Sequence, residues 1–167
     1  MKVIFLDIDG VLNVLCEGRD EFGCTFHKHF EDNLKHIIEQ TQAKIVISST
    51  WRMDGLQKMQ EMWTKRGLAG EVIDITPMEV EGEVFERYYE PGADRGYEIQ
   101  QYVEYNPNIT KYCIIDDDND MLNHQLKCFV KTSGNRDHSD YVDIGYGLTK
   151  ECTEQVIRIL NKEDFIK

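Results

Sequence analysis

The chain has 167 residues, with 19 Lys plus Arg against 31 Asp plus Glu and a formal charge of −12. That length fits one domain, residues 1–167, with a full core. The charge repels polyanions at long range and excludes bulk nucleic-acid binding, though a phosphate or a nucleotide end can still be gripped locally.

Val3 to Leu6 are consecutive apolar residues and predict a strand buried on both faces of a parallel sheet. Asp7 and Asp9, followed by Gly10, leave that strand on a turn. In open α/β sheets, ligands bind beyond the carboxyl ends of the strands. A carboxylate is anionic at neutral pH and can attack phosphorus without a base to activate it. An alkoxide leaving group needs a proton, which a neighbouring acid can supply. Two carboxyls this close do not both ionise easily, so one pKa is expected to rise. The same pair also suits a cation-binding strand end, as in phosphorelay receiver domains.

Residues 14–29 contain Gly18 and Gly23 without a sustained period and read as a hairpin-like flap over that turn. His27 and His29 share one face of it, as solvated or partly packed histidines in preference to metal or substrate ligands. Phe30, Leu34, Ile37 and Ile38 recur at helical spacing to about Gln42. Lys44 to Ile47 predict the second strand, which runs into Ser48-Ser49-Thr50-Trp51-Arg52 and a helix from near Asp54 to Gly67. Hydroxyls and free N–H groups between a strand end and a helix can hold a phosphate, or one hydroxyl can simply cap the helix. Arg52 fits a phosphate contact and a tie for the loop equally well.

Val72 to Ile75 predict a third strand, and residues 76–93 an irregular acidic insertion. Its Phe85, Arg87, Tyr88 and Tyr89 read as packed aromatics ahead of a base-stacking platform. Asp94 is placed to cap a helix carrying Arg95, Ile99, Tyr102 and Val103 and stopping at Asn106-Pro107. Tyr112 to Ile115 predict the fourth strand, ending in Asp116-Asp117-Asp118-Asn119-Asp120. Hard oxygen donors gathered from two strand ends are what Mg²⁺ prefers; the plainer reading is a solvated acidic turn. Cys128 to Val130 predict a fifth strand, residues 132–147 a polar loop, and Thr149 the cap of a last helix.

There is no run of about 18 apolar residues to span a membrane. The chain enters a strand at once, without the charged, apolar, small order of a secretory leader. Cys16, Cys24, Cys113, Cys128 and Cys152 form no C-x-x-C pair. Reduced thiols and a cytoplasmic location are therefore expected, rather than a disulfide framework or a zinc site.

The strand followed by Asp7-Ile8-Asp9-Gly10-Val11 resembles the first motif of the haloacid dehalogenase-like (HAD) phosphatases. Ile47-Ser48-Ser49-Thr50-Trp51-Arg52 looks like the branch found as a domain in Swiss-army-knife RNA-repair proteins. The resemblance implies that Asp7 attacks phosphorus through an aspartyl-phosphate and that Asp9 is the general acid/base. It implies a phosphate-binding hydroxyl, Ser49 or else Ser48, and a cation at Arg95, with Lys111 as the alternative. It also implies a Mg²⁺ site formed by Asp7, the Asp9 carbonyl, Asp116 and Asp117, with Asp120 nearby or bound directly. The fold it implies is a doubly wound α/β three-layer sandwich, with a five-stranded parallel sheet in the order 5-4-1-2-3. Residues 14–29 and 76–93 are too short for a separate cap, so an open, capless site is expected.

These expectations describe a Mg²⁺-dependent phosphomonoesterase acting on a phosphorylated small molecule, a nucleotide or an oligonucleotide end. The alternatives are a nucleic-acid 3′-phosphatase and a non-catalytic phosphoacceptor domain.

Overall fold

The computed structural model describes residues 1–134 and 145–162. Five parallel strands form its sheet: β1 (Lys2–Leu6), β4 (Lys44–Ile47), β5 (Val72–Ile75), β6 (Lys111–Asp116) and β7 (Phe129–Lys131), in the order β5-β4-β1-β6-β7. Counted as core strands this is the expected 5-4-1-2-3. Alternation along β1 sends Ile4 and Leu6 to one face and Val3 and Phe5 to the other, and all four are fully buried. The first face is covered by α1 (Lys28–Thr41), α2 (Leu56–Lys65) and α5 (Lys150–Asn161), through Phe30, Leu34, Met62, Trp63, Val156 and Leu160. The second is covered by α4 (Asp94–Tyr105), through Ile99 and Tyr102. Burial on both faces explains why these strands read as unbroken apolar runs.

The two segments between core elements are shorter than a cap; the flap forms the expected hairpin, and residues 76–93 are more ordered than their sequence suggested. The flap contains a two-stranded antiparallel hairpin, β2 (Arg19–Asp20) and β3 (Gly23–Cys24), and gives way to α1 at Lys28. Within residues 76–93 the short helix α3 (Gly82–Tyr88) forms, packing Phe85 against Tyr97 and pairing Arg87 with Glu104. A 3₁₀ turn, Thr50–Asp54, precedes α2, and another, Asn123–Cys128, precedes β7. Thr149 caps α5 by accepting from the Cys152 N–H, whereas Asp94 is the first residue of α4 and Ala93 its cap. Most of the predicted polar loop at 132–147 lies outside the described residues.

The expectation of wholly reduced cysteines is overturned. Cys16 and Cys24 are joined by a disulfide across the flap, their Cα atoms 5.2 Å apart. The pairing follows from the hairpin turn, which brings together residues that a spacing rule treats as unrelated. Cys113 is buried and free, as expected. Among the described residues no helix is long and apolar enough to cross a membrane.

Candidate active site

The sheet register places the reactive groups at one level. Leu6 pairs with Ile47 on one side and with Ile115 on the other. The ladder continues one step further, since the Asp7 N–H donates to Ile115 O at 3.0 Å and the Ser48 N–H to Leu6 O at 3.0 Å. Asp7, Ser48 and Asp116 are therefore neighbours at the carboxyl ends of three adjacent strands. Oxygens of Asp7, Asp116 and Asp117 all lie within 4.8 Å of one another.

Asp117 owes its place to two glycines. A Cβ on Gly10, whose φ is +76°, would come within 2.2 Å of the Asp117 carboxyl carbon, and one on Gly134 within 1.8 Å of its Oδ2. The Gly10 turn is also tied to the far side of the site, where the Thr132 hydroxyl donates to Gly10 O at 2.8 Å.

Burial acts first on the acids. It raises Asp7 above the usual carboxylate range, against the Ser49 hydroxyl and the Arg95 charge, which pull it down. Asp116 is pushed up to about 8, by burial first and then by the charge of Asp7. Its Oδ1 accepts the Asp118 N–H, while its Oδ2 is buried without a hydrogen bond. A buried carboxylate oxygen without a hydrogen bond, as Asp116 Oδ2 is, fits a divalent cation, which supplies the missing charge. The residues present thus suit Mg²⁺: hard anionic oxygens from two strand ends, in a cluster lacking sulfur and nitrogen ligands.

Arg95 lies where the sequence placed it, at the start of α4. Its Nη1 is 3.9 Å from Asp7 Oδ1, its Nε is 4.0 Å from Asp116 Oδ2, and Nη1 is buried without a hydrogen bond. It is positioned to meet a dianion between the acids. Lys111 is eliminated, because it opens the strand that Asp116 closes, about 16 Å away at roughly 3.3 Å per residue.

Asp120 does not join the metal-type cluster. Its Oδ2 accepts the Arg95 N–H at 3.3 Å and its carbonyl accepts the Gly96 N–H at 2.9 Å. These bonds close the positive end of α4, where an arginine would otherwise be unfavourable. Asp120 therefore positions the helix that bears Arg95.

The two serines differ. Ser49 donates its hydroxyl to Asp7 and accepts from the Trp51 N–H, whereas the Ser48 hydroxyl is fully buried without a hydrogen bond. Arg52 resolves as a loop tie and not as a phosphate contact. Its five N–H groups reach the carbonyls of Ser48, Ser49, Thr76 and Pro77 and the Glu98 carboxylate, the last at 2.6 Å. With every donor of the guanidinium engaged, none is left for a ligand.

Asp9 is not one of the three grouped acids. Its Oδ2 accepts the Trp51 indole N–H at 3.0 Å, and its Oδ1 accepts Asn13 Nδ2 at 3.2 Å. His27 and His29 are packing groups. His27 is buried, with Nε2 at 3.1 Å from Leu15 O and Nδ1 at 3.3 Å from Glu17. His29 sits against Phe30, its ring centroid 3.8 Å from that of Phe30.

Sequence reasoning missed Glu98, Asn13 and the role of the Trp51 indole. Glu98 joins the two arginines, with Oε1 on Arg52 and Oε2 3.9 Å from Arg95 Nε. The only trace of it in the sequence is the one-turn spacing Arg95-x-x-Glu98.

The sequence profile of the HAD domain in Swiss Army Knife RNA repair proteins matches residues 3–139, which take in every residue of this site. Comparison with curated proteins and with solved structures gives no match.

Proposed function

Since the chain belongs to the family of HAD domains in Swiss Army Knife RNA repair proteins, and is in kind a HAD-type hydrolase, we propose that it cleaves phosphate monoesters through Asp7. The observation that carries this reading is the grouping of Asp7, Asp116 and Asp117 within 4.8 Å, with Arg95 beside it. A dianionic phosphate could not approach three carboxylates without compensating charge; Arg95 supplies part of it, and a divalent ion that the three acids would hold would supply the rest.

An Asp7 carboxylate oxygen attacks phosphorus. The bond from phosphorus to the leaving oxygen breaks, and Asp9 gives that oxygen its proton. Water then attacks the aspartyl-phosphate, Asp9 takes the water's proton, and phosphate leaves as Asp7 is regenerated. Arg95 holds the equatorial oxygens, and Ser49, which hydrogen-bonds Asp7, turns its hydroxyl to the same phosphoryl group. Asp7, Asp116 and Asp117, with the Asp9 carbonyl, would hold a Mg²⁺ ion, which would supply electrostatic stabilisation of the phosphoryl charge. Trp51 and Asn13 hold Asp9 clear of the metal-type cluster, as a proton donor requires.

The substrate is a nucleotide or an oligonucleotide end. The family's link to RNA repair supports this class, as does an open site flanked by a short flap and α3 in place of a cap domain. A stable phosphoacceptor is disfavoured by Asp9, since an acid/base two residues from the nucleophile promotes hydrolysis of the acyl phosphate.

Release of p-nitrophenol from p-nitrophenyl phosphate with Mg²⁺ tests the reading. Asp7→Asn should abolish turnover. Asp9→Asn should lower it by about 10²–10⁴ on alkyl phosphates, whose leaving group needs the proton most. Activity that survives Asp7→Asn removes the covalent route, and inactivity of the native protein on every monoester favours the phosphoacceptor reading.

A further inference from the structure

A cavity of about 230 Å³ opens between the flap and the turn after β4. Phe22, Trp51, Met53 and Met59 line it, with Lys58 and the carboxylates Asp54 and Glu21 beside them. Trp51 belongs to the cavity and to the catalytic centre at once, because its indole N–H donates to Asp9 Oδ2 at 3.0 Å. Thr50, also on the wall, directly follows Ser49, whose hydroxyl donates to Asp7.

The leaving oxygen must come within hydrogen-bond reach of Asp9 to receive a proton. The organic part of the substrate therefore departs on the Asp9 side, which is the side of Trp51. We propose that this cavity receives the base of the nucleotide whose phosphate is cleaved at Asp7.

The chemistry of the walls selects that class. Aromatic faces and polarizable sulfur suit a flat heteroaromatic ring. A sugar phosphate would leave hydroxyls unsatisfied against the same surfaces. Lys58 lies 4.6 Å from the Phe22 ring centroid, fixing that ring and adding a donor, while Asp54 offers an acceptor. Such groups can meet the polar edge of a base. At about 230 Å³ the cavity is smaller than pockets for drug-sized ligands, roughly 300–1,000 Å³, so it takes one base and not a run of them. It gives a chain of charge −12 a way to engage a nucleotide through its ring. Recognition is by stacking at one terminal unit.

This inference rests on the phosphomonoesterase reading, so its test has two arms. In the first, kcat/KM is measured for adenosine 3′- and 5′-monophosphates and for glycerol 2-phosphate, which has no ring. Phe22→Ala should lower the ratio of nucleotide to glycerol phosphate by about tenfold, mainly through KM. A ratio unchanged within about twofold would overturn the proposal.

The second arm needs no turnover. Asp7→Asn protein is titrated with adenosine while tryptophan fluorescence is followed. Of its two tryptophans, Trp51 lines the cavity and Trp63 is only 3 % exposed. Adenosine should give a saturable change that vanishes in Asp7→Asn/Trp51→Phe, and inorganic phosphate should give none. No change with adenosine, or an equal one with phosphate, would overturn the cavity assignment. If native protein hydrolyses none of the three esters, the phosphomonoesterase reading falls, and the titration still decides whether the cavity binds a base.

Discussion

The two ends of the site are built differently. At the phosphoryl end, Asp7 and Ser48 stand one residue beyond β1 and β4, and Asp116 closes β6, so the ladder that pairs these strands also fixes the acids. At the leaving-group end, Asp9, Trp51 and Phe22 sit on turns, held by an indole hydrogen bond, a lysine over a ring and a disulfide across the flap. Rigidity at the first end comes from buried backbone shared with the whole fold. At the second it comes from a few side-chain contacts that can change without unfolding the sheet. Mutations at the first should therefore cost stability or chemistry in large steps, and changes at the second should act locally.

Arg52→Met should produce the largest effect on stability. It leaves the half-buried Glu98 beside Arg95 alone and frees four carbonyls behind the serines. Removing one partner of a buried pair costs about 3–5 kcal/mol. Urea denaturation should show a loss of that order, and a loss below about 1 kcal/mol would mean that the phosphoryl end does not depend on this tie. Arg95→Ala should instead lower kcat/KM by about 10²–10³, as removal of a group that meets transition-state charge does. Its loss of stability should be smaller than that of Arg52→Met, because Arg95 meets Asp7, Glu98 and Asp116 only at 3.9–4.0 Å.

A smaller effect concerns pH. Asp116 titrates near 3.8 when unperturbed and about 8 when buried beside Asp7. An acid raised by folding contributes stability that is complete below the unfolded value and lost as pH rises through the folded one. Metal-free protein should thus lose this contribution between about pH 4 and pH 8. Mg²⁺ needs the carboxylate, so it must displace a proton below about pH 8. The gain in melting temperature on adding Mg²⁺ should be greater at pH 8.5 than at pH 6. Equal gains would mean that Asp116 does not bind the ion.

The smallest global effect should come from the flap. Reducing Cys16–Cys24 opens a link over eight residues, which is worth about 2–3 kcal/mol of local ordering. Amide exchange at residues 19–24 should quicken while the melting temperature moves by no more than about 2 °C. A large drop in melting temperature would show that the hairpin is part of the cooperative core.

The same contrast explains what could be read in advance. Asp7 and Asp116 were legible because buried parallel strands print apolar runs into the sequence and chemistry follows at their ends. The sheet order and the place of Arg95 followed from the resemblance to the HAD phosphatases and not from the pattern itself. Arg52 was not legible, because whether a guanidinium meets a ligand or four carbonyls depends on how two loops approach, here residues 48–49 and 76–77. Whether Asp120 stands near the ion or binds it was open within a run of acids whose members look alike until a helix end claims one of them. The Cys16–Cys24 bond escaped because spacing does not show which cysteines a turn brings together, and α3 because a helix of 7 residues is too short to print a clear period.

The central claim is that Asp7 bonds to phosphorus. Its most direct test is a single turnover of Asp9→Asn protein with Mg²⁺ and p-nitrophenyl phosphate, whose leaving group departs without a proton, quenched in acid and analysed by peptide mass spectrometry. With the base for hydrolysis removed, the phosphoryl group should accumulate on the peptide containing Asp7 and be absent from Asp7→Asn/Asp9→Asn protein. Release of phosphate with no phosphorylated peptide, or a phosphoryl group found at another residue, would contradict the account.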